Sequence, residues 1–414
     1  MPKPPNTEKP KTSIYHATSL DELEEAGAET VRYTPSRDAA MRLDKYLCNR
    51  LKGMSRNQVQ RLIDLGGVTV NGSPGKPSLK LKAGDTVDVV VPPKPASDLT
   101  PEDIPLKVLY EDDAFIAVNK PADIIVHPAR GRLSGTMLNA LLFHFQKQGQ
   151  GNLSTVGEVP TDADGNPTHA DTRPGVIHRL DRFTTGVIVF AKQDEAHWLL
   201  AQQWERRTNL KAYLAVVHGN PSPAAGVINQ SIGKHPTIRE AQAVRHDATS
   251  KEALTLYRVR EQYKGFALVE FELKTGRTHQ IRVHAAYIGH PLVGDILYGG
   301  EPLATPDLDT PPLPAGFRPN LVYARPKAEG QKLEAAAANN PDSLIAHPAL
   351  HAGLLQIVHP ITREPMTFTA PLHEPMRSLV HQLRHRRDDS LPTVTDGTHI
   401  DLNTAVPNPD ARPA

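Results

Sequence analysis

The stretch GVIHRLDRFTTGVIVFAK, residues 175–192, brings one acid and several basic side chains together within a few positions. Residues 187–191 are apolar, as in a buried strand, and residues 176–177 are typical of the end of another, so Asp181 should lie on a short connection. A carboxylate with so little freedom can act as a nucleophile or a base, although a lone loop aspartate more often stabilises a turn. Arg179 alternates to the same side of an extended loop, where it is either part of a site or a surface cation.

A second group of polar side chains occurs in TGRTHQIRVHAAYIG, residues 275–289. The pattern predicts a glycine turn followed by a short helix with Thr278 as its N-cap. Arg282 lies off the apolar stripe of this helix. We expect Arg277 and His279 either to order the turn or to contact phosphate.

Two further segments predict strands next to these groups. Tyr213 lies in LKAYLAVV, residues 210–217, whose side chains alternate as in a strand. A tyrosine on a half-buried sheet most often serves as packing. The segment FIAVNK, residues 115–120, predicts a strand that the following proline terminates.

Residues 40–93 differ in character from the rest of the chain. Apolar residues at helical spacing predict two short helices, the second with Ser55 as its N-cap, and VTVNG and TVDVVV predict two short strands. Basic residues on helices most often form a solvated face. Those that gather on this helical pair are Arg42, Lys45, Lys52, Arg56 and Arg61.

Composition limits the class of protein. The chain has 414 residues, enough for about two or three domains. Its formal net charge is only +1, so a polyanionic partner must be held by local patches. The single cysteine, Cys48, cannot form an internal disulfide, and the N-terminus lacks the apolar core of a secretory signal. We therefore expect a cytoplasmic protein without a membrane partner.

Polar and proline-rich stretches predict the domain boundaries, because they cannot bury enough surface to offset the entropy of ordering. The expected organisation is a flexible tail at 1–39, a small domain at 40–93, a linker at 94–104, a larger domain at 105–375 with polar insertions or lids at 148–172 and 301–345, and a flexible tail at 376–414.

Five blocks, at 108–128, 173–192, 210–219, 273–300 and 349–372, carry a resemblance to a known family. In sequence and order they resemble the RluA-type pseudouridine synthases, most closely the RluD-like branch that modifies large-subunit ribosomal RNA. The resemblance runs from about residue 40 to about residue 375. Residues 40–93 resemble the S4 module, in which a basic helical pair contacts the phosphates of structured RNA.

The resemblance implies a fold and an activity. The fold would be α+β, with a mixed, largely antiparallel sheet, flanking helices and a cleft across its middle, preceded by the small RNA-binding domain. The enzyme would isomerise specific uridines of large-subunit (23S) ribosomal RNA after flipping the base out of its stack, and transfer RNA is the alternative substrate. The reaction involves no redox change, so no metal or organic cofactor is expected. We expect a monomer with RNA as its partner.

The resemblance also assigns roles to particular side chains. Asp181 would be the catalytic residue, whether it attacks the sugar or abstracts a proton from it. Arg282 would pair with Asp181 and keep it ionised. Tyr213 would stack on the uracil and is a candidate for the late deprotonation. Arg179 would enter the RNA helix where the flipped base has left.

The remaining positions have lesser roles by resemblance. Ile281 and Val283 would help to exclude water from the pocket, and Asn119 and Lys120 would lie on the substrate side of the cleft. His178 is expected to be structural.

Three positions near the expected site depart from many relatives. Thr185 keeps the hydroxyl of the more usual serine. Phe183 and Asp123 stand where a polar residue and a glycine are frequent, and could change which RNA loop is accepted.

Two other functions remain open at this point. A ribosome-assembly factor could bind ribosomal RNA without catalysis, which the presence of Asp181, Tyr213 and Arg282 disfavours. A glycoside hydrolase needs a second carboxylate at a matched distance, and none of the blocks offers one. His347 and His351 have helical spacing, but no acid or cysteine completes a set of metal ligands near them.

Overall fold

The computed structural model describes residues 19–25, 28–35, 41–51, 54, 56–91, 99–128, 134–149, 152–154, 174–309 and 324–407. The chain divides into two units, the first made of Met1–Thr100, Asn152–Val176 and Ala191–His197, and the second of Pro101–Gly151, Ile177–Phe190 and Trp198–Ala414. No helix in the described ranges combines the length and the apolar character needed to cross a bilayer.

The first unit contains three short helices and a small sheet. Its helices are α1 (Leu20–Glu25), α2 (Leu43–Cys48) and α3 (Arg56–Asp64), and its strands are β1 (Glu29–Tyr33), β2 (Val68–Val70), β3 (Ser73–Pro74) and β4 (Val87–Val91). The strands pair in the order β1-β4-β2-β3. Val59, Leu62 and Ile63 of α3 pack with Leu43 and Leu47 of α2 in one buried cluster, as their helical spacing predicts.

The prediction of a flexible tail at 1–39 is wrong over the part that is described. Strand β1 pairs antiparallel with β4 along its whole length, from Glu29 opposite Val91 to Tyr33 opposite Val87. Leu23 of α1 is fully buried. The segment contains few apolar residues, and its strand is completed by a partner almost sixty positions away, so local composition gave no sign of it.

The second unit contains most of the remaining elements, although the last residue of one strand and the first turn of one helix fall in residues 191–197 of the first unit. Its strands are β5 (Lys107–Glu111), β6 (Phe115–Lys120), β7 (Thr185–Ala191), β8 (Leu210–His218), β9 (Ala225–Asn229), β10 (Ile232–Lys234), β11 (Gln242–Val244), β12 (Leu254–Tyr263), β13 (Phe266–Leu273), β14 (Leu303–Ala304), β15 (Ser343–Ile345), β16 (Leu350–Val358) and β17 (Pro365–Thr369). Its helices are α4 (Met137–Gln148), α5 (Asp194–Glu205), α6 (Gln280–Tyr287), α7 (Lys327–Ala338), α8 (Met376–Arg384) and α9 (Leu402–Ala405), with 3-10 helices at Ile296–Tyr298 and Thr305–Leu308.

A large mixed sheet forms the centre of the second unit. Its described strands follow the order β5-β6-β7-β16-β8-β13-β12-β9, and β17 pairs with β16. The pairs β8 with β13, β12 with β13 and β8 with β16 are antiparallel, whereas β7 and β16 are parallel. The predicted α+β class with a mixed, largely antiparallel sheet is confirmed.

The prediction of a flexible tail at 376–414 is wrong over residues 376–406. Leu379, Val380 and Leu383 of α8 are fully buried in the same cluster as Ile400 and Val406. The amphipathic spacing of α8 was hidden in a stretch whose average composition is polar, so composition alone misjudged it. Residues 408–414 lie outside the described part.

The polar stretch predicted as an insertion at 301–345 contains regular structure. Strands β14 and β15 pair antiparallel, and α7 lies between them in the chain. Residues 310–323 of this stretch, and most of the second predicted insertion at 148–172, lie outside the described residues.

Candidate active site

A cleft of about 670 Å³ opens in the second unit. Its walls come from the loop before β7, the turn into α6, the segment around the first 3-10 helix, and α7. Charges of both signs face it, and the arginines and acids among the described lining residues are Arg179, Arg182, Arg282, Arg325, Asp181, Glu240, Asp295 and Glu334. Arginines placed beside acids in such a cleft can hold a carboxylate in its ionised form.

Asp181 lies on an irregular loop, residues 177–184, that leads directly into β7. The amide of Thr184 donates to the backbone carbonyl of Asp181 at 3.1 Å, which closes a tight turn. The predicted strand end at 176–177 is wrong, because Val176 makes only an isolated bridge. Asp181 therefore precedes one strand instead of connecting two.

Lys120, the last residue of β6, anchors this loop. Its Nζ donates to the carbonyl oxygens of Pro121, Arg182 and Thr184, each at 2.9 Å. Burial lowers the pKa of Lys120 to about 7, while the negative charges of Asp181 and Asp123 act in the opposite direction. Three carbonyls are the acceptors that the three N–H groups of an ammonium require. The prediction that Lys120 faces the substrate is wrong, because its side chain is fully buried against the loop.

His178 fixes the start of the same loop. Its Nε2 accepts the backbone N–H of Val189 at 3.1 Å, and its ring stacks on Trp204 with the ring centres 4.7 Å apart. Burial, and then the positive charge of Lys211, lower the pKa of His178 to about 3, so the ring is neutral near pH 7. Both polar and ring contacts of His178 are therefore made to other residues of the protein, and they hold the start of the loop.

Arg282 joins two carboxylates. Its Nη1 donates to Oδ2 of Asp181 at 3.2 Å, while Nε and Nη2 donate to the two oxygens of Asp295 at 2.7 and 2.8 Å. Asp295 is 1% exposed, and both its oxygens are taken by this one guanidinium. Asp295 belongs to the block at 273–300, so the prediction that none of the blocks offers a second carboxylate near Asp181 is wrong. Asp295 is paired and buried, so it is unsuited to the acid or base step of a glycoside hydrolase.

The surroundings of Asp181 favour its ionised form. The side chain is 26% exposed, and burial alone would raise the pKa of its carboxyl. The charge and the hydrogen bond of Arg282 and the charge of Arg179 act in the opposite direction, and the net pKa is lowered. Burial lowers the pKa of His279 to about 4, which leaves that ring uncharged near pH 7. The arginines are therefore the cations that hold Asp181 ionised at neutral pH.

His279 lies beside Asp181 at the start of α6. Its Nε2 is 3.8 Å from Oδ2 of Asp181, and its Nδ1 is 2.7 Å from the hydroxyl of Tyr298. His279 also occupies the N-cap position, with a left-handed backbone at φ 57°, so the prediction of Thr278 as the N-cap is wrong. The turn is closed instead by Gln280, whose side-chain oxygen accepts the amide of Arg277.

Tyr213 lies in the middle of β8, as predicted for a strand residue, and is 8% exposed. Burial, and then the negative charge of Asp181, raise the pKa of its hydroxyl, which is therefore a neutral phenol near pH 7. Arg179 is exposed and lines the cleft. Within the described ranges no hydrogen bond or ion pair engages its guanidinium, so this cation is available to a ligand.

Four other predicted positions are not among the residues that line the cleft. Arg277 donates from Nε to the carbonyl of Glu252, a contact that helps to order the turn, and its contact with phosphate stays a prediction. Ile281 and Val283 are buried, and Val283 packs in an apolar cluster behind the cleft wall that includes Tyr298. Asn119 is 1% exposed. The prediction that Asn119 contacts substrate is wrong, because its side-chain amide is bonded to His373 and Pro371.

The positions that depart from relatives have defined contacts. Phe183 stacks in parallel on His347 with the ring centres 3.9 Å apart, and the guanidinium of Arg182 lies 4.8 Å from the centre of the Phe183 ring. Asp123, which also has a left-handed backbone, pairs with Arg182 at 2.5 Å. These side chains form one connected group at the cleft.

The hydroxyl retained at Thr185 lies 2.8 Å from Nδ1 of His351, a fully buried ring. Nε2 of His351 donates to the carbonyl of Ala370 at 3.0 Å, so the ring links the start of β7 to the residue that follows β17. In the described part of the chain no group of three or more His, Cys, Asp and Glu side chains could hold a metal ion.

The basic residues predicted in the first unit are only partly described. Arg42 makes two bonds of 3.2 Å to Asp44, a buried carboxylate, and Lys45 is exposed. Arg61 is half-buried. The side chain of Arg56 and the whole of Lys52 lie outside the described residues.

Sequence reasoning missed Asp295 and Tyr298. Both lie in the quoted block 273–300, in the segment GDILYGG. The signal was an acid and an aromatic residue bracketed by glycines a few residues after the helix that carries Arg282, a pattern of sharp turns that could bring both back towards this arginine.

Each of the two units contains a stretch that matches a known protein family. Residues 114–287 match the RNA pseudouridylate synthase family, and residues 41–87 match the S4 domain. The first of these ranges contains Asp181, Tyr213 and Arg282.

Relatives match most of the chain. A protein of Bacillus subtilis described as an uncharacterized RNA pseudouridine synthase is 38% identical over 343 residues, 83% of this chain and 94% of that protein. One of Chlorobaculum parvum with the same description is 37% identical over 347 residues, 83% of this chain and 94% of that protein. The ribosomal large subunit pseudouridine synthase D of Pasteurella multocida is 35% identical over 344 residues, 83% of this chain and 91% of that protein.

Proposed function

Because this chain belongs to the RluA-type RNA pseudouridine synthases and carries an S4 domain, it is an enzyme that isomerises uridine in RNA, and we propose that its targets lie in large-subunit ribosomal RNA. Three relatives at 35 to 36% identity bear the name ribosomal large subunit pseudouridine synthase D. Their names support large-subunit ribosomal RNA as the substrate, in preference to transfer RNA.

We propose that Asp181 supplies the reactive carboxylate. In the isomerisation the bond from ribose C1′ to N1 of uracil breaks and a bond from C1′ to C5 forms, while C5 loses a proton and N1 gains one. The oxidation state is unchanged. An ionised carboxylate beside the sugar is the group that this exchange needs, either as nucleophile or as base. The 3.2 Å contact between Arg282 and Asp181 in a polar cleft is the observation that carries the proposal.

The other side chains have supporting roles in this proposal. The face of Tyr213 would stack on the flipped uracil, and its neutral hydroxyl would relay the late proton by accepting one while passing on its own. Arg179, exposed and without a partner in the described ranges, would occupy the gap that the flipped base leaves in the RNA helix.

The test is to map pseudouridines in total RNA from cells that lack the gene. We expect sites to disappear from large-subunit ribosomal RNA and to return on expression of the wild-type chain. Asp181→Asn, which changes one atom at nearly constant volume, should restore none of them. Asp309→Asn, a change at an exposed carboxylate paired with Arg386, is the matched control and should restore all.

Two outcomes would count against the proposal in different ways. Sites lost only from transfer RNA would overturn the substrate. A purified Asp181→Asn enzyme that keeps a tenth of wild-type turnover would overturn the role of the carboxylate.

A further inference from the structure

We propose that His279 is a catalytic residue that acts as a neutral hydrogen-bond donor through Nε2, and that Tyr298 is the positioning residue that fixes this tautomer. The ligand would be an acceptor oxygen of the target nucleotide next to the bond that breaks, either the ribose 2′-hydroxyl oxygen or O2 of uracil. The inference rests on the pseudouridine chemistry proposed for Asp181 but not on which RNA is modified.

The hydrogen bonds of Tyr298 determine the tautomer. The backbone N–H of Gln242 donates to the Tyr298 hydroxyl oxygen at 2.8 Å. The hydroxyl has one hydrogen of its own, and Nδ1 of His279 lies 2.7 Å from the same oxygen. In the described part of the chain Nδ1 is the one acceptor within hydrogen-bond distance of this hydroxyl, so the hydrogen is directed to Nδ1, which then carries a lone pair. A neutral ring with an acceptor at Nδ1 carries its proton on Nε2.

The ring is neutral for a physical reason. Burial, and then the positive charge of Arg282, lower the pKa of His279 to about 4, and Asp181 and Asp295 only partly oppose this. Arg179 acts in the same direction as Arg282. An imidazolium is therefore not formed near pH 7, and the donor is an uncharged N–H.

The donor is placed where a substrate atom would lie. His279 lines the cleft with 16% of its side chain exposed, and Nε2 is 3.8 Å from Oδ2 of Asp181. That distance is too long for a hydrogen bond, so the carboxylate does not satisfy the N–H. An oxygen bound against Asp181 would fall within reach of both groups.

Two further observations concern how His279 is held in place. His279 has a left-handed backbone at φ 57°, which an ordinary side chain rarely adopts, and such strain is concentrated at functional sites. Tyr298 is 1% exposed, and its ring lies 5.0 Å from the guanidinium of Arg282. One aromatic side chain thereby supports both the arginine and the histidine that flank Asp181.

The first arm of the test reads the tautomer without substrate, by ¹⁵N NMR of the full-length chain with labelled histidine. The His279 signals are identified by their loss in His279→Gln. We expect the Nε2–H pattern with no titration between pH 5 and pH 8. In Tyr298→Phe, which keeps the ring but removes the hydroxyl, we expect an added Nδ1–H fraction or the onset of titration in that range. An Nδ1–H pattern in the wild type would overturn the assignment.

The second arm measures single-turnover rates at saturating total RNA from cells that lack the gene. His279→Leu should lower the rate by about 10-fold or more, the usual worth of one hydrogen bond to a developing charge, with RNA affinity unchanged. His279→Gln, whose amide N–H reaches a similar position, should retain most of it. His246→Leu, at an exposed histidine outside the cleft lining, is the control and should match the wild type.

Substrates with a 2′-deoxy target nucleotide separate the two candidate oxygens. If the 2′-hydroxyl is the ligand, its removal should slow the wild type but should not slow His279→Leu further. If uracil O2 is the ligand, the rate loss from the 2′-deoxy substrate and the rate loss from His279→Leu are independent, so the two fold-changes should multiply. A folded His279→Leu with the wild-type rate would overturn the proposal. Turnover confined to transfer RNA would overturn only the ribosomal target, because the variant rates would still be compared on that RNA. If His279→Leu fails to fold, the tautomer in the wild type and the rate of His279→Gln decide the question.

Discussion

Asp295 holds Arg282 through both of its carboxylate oxygens, Oδ2 at 2.7 Å from Nε and Oδ1 at 2.8 Å from Nη2. This paired geometry fixes the plane of the guanidinium. The remaining nitrogen, Nη1, is thereby directed to Asp181 at 3.2 Å. Although burial opposes the charge on Arg282, the two carboxylates outweigh it and raise the pKa of the guanidinium, so the cation is permanent.

Replacing Asp295 with asparagine should therefore impair catalysis while leaving Asp181, the proposed reactive carboxylate, unchanged. Arg282 would lose its orientation, and a displacement of about 1 Å in a catalytic group can lower a rate by about 100-fold. The free energy of unfolding should also fall, by about 3 kcal/mol, because a buried cation loses one partner. Single-turnover kinetics and urea unfolding of Asp295→Asn measure the two effects, with Asp309→Asn as the exposed control. A wild-type rate in a folded Asp295→Asn enzyme would show that Asp181 alone orients Arg282.

The pH dependence of the rate should report the pairing of Asp181 with Arg282. In the wild type the pKa of Asp181 is lowered, so the ionised form persists and the rate should be flat down to about pH 5. In Arg282→Met burial acts without the main opposing cation, so the pKa of Asp181 rises and the acid limb moves to higher pH. The measurement is the ratio of rates at pH 5 and pH 7.5. Arg277→Met, at an arginine bonded to the carbonyl of Glu252, should keep the wild-type ratio.

Tyr213→Phe should lower turnover by about 100-fold, the usual contribution of a group that moves a proton. Affinity for RNA should change little, because the ring that would stack on the base is retained. Since burial raises the pKa of the hydroxyl, the wild-type rate should show no rise from phenolate formation up to pH 9. Equal turnover of the two enzymes would reduce Tyr213 to a stacking platform.

The sequence predicted the strands that carry or adjoin the site residues better than it predicted the side-chain contacts between those residues. The period of two in residues 210–217 and the apolar run at 187–191 were enough to predict β8 and β7, since both are local patterns. The contacts of Arg282 with Asp181 and Asp295 span 101 and 13 positions. The first could be expected only through family resemblance, and the second was missed because no local pattern connects α6 to the glycine-bracketed turn after it.

Burial explains the other differences between expectation and structure. Lys120 and Asn119 are polar residues at the end of a strand, a position where sequence alone suggests exposure to a ligand. Both instead bind main-chain carbonyls of segments far along the chain, Thr184 and Pro371 among them. Such acceptors exist only once the fold is formed, so neither pattern nor composition indicates them.

The last prediction concerns the S4 domain, where Lys45 offers the clearest test of phosphate binding. Arg42 is already paired with the buried carboxylate of Asp44, whereas Lys45 is exposed on α2. Each phosphate contact releases condensed counterions, so loss of one contact should reduce the slope of log affinity against log salt by about 0.7 to 0.9. Lys45→Ala should therefore bind structured ribosomal RNA more weakly at low salt and with a shallower slope.

The control for this measurement is Lys264→Ala, at an exposed lysine in the turn between β12 and β13, which should keep the wild-type slope. Both variants should turn over saturating RNA at the wild-type rate, because neither residue lies among those that line the cleft. A lower saturated rate in Lys45→Ala would mean that the S4 domain also presents the target nucleotide to Asp181. An unchanged salt slope would show that Lys45 contacts no phosphate, and the RNA-binding surface would then have to be sought among the other basic residues of the domain.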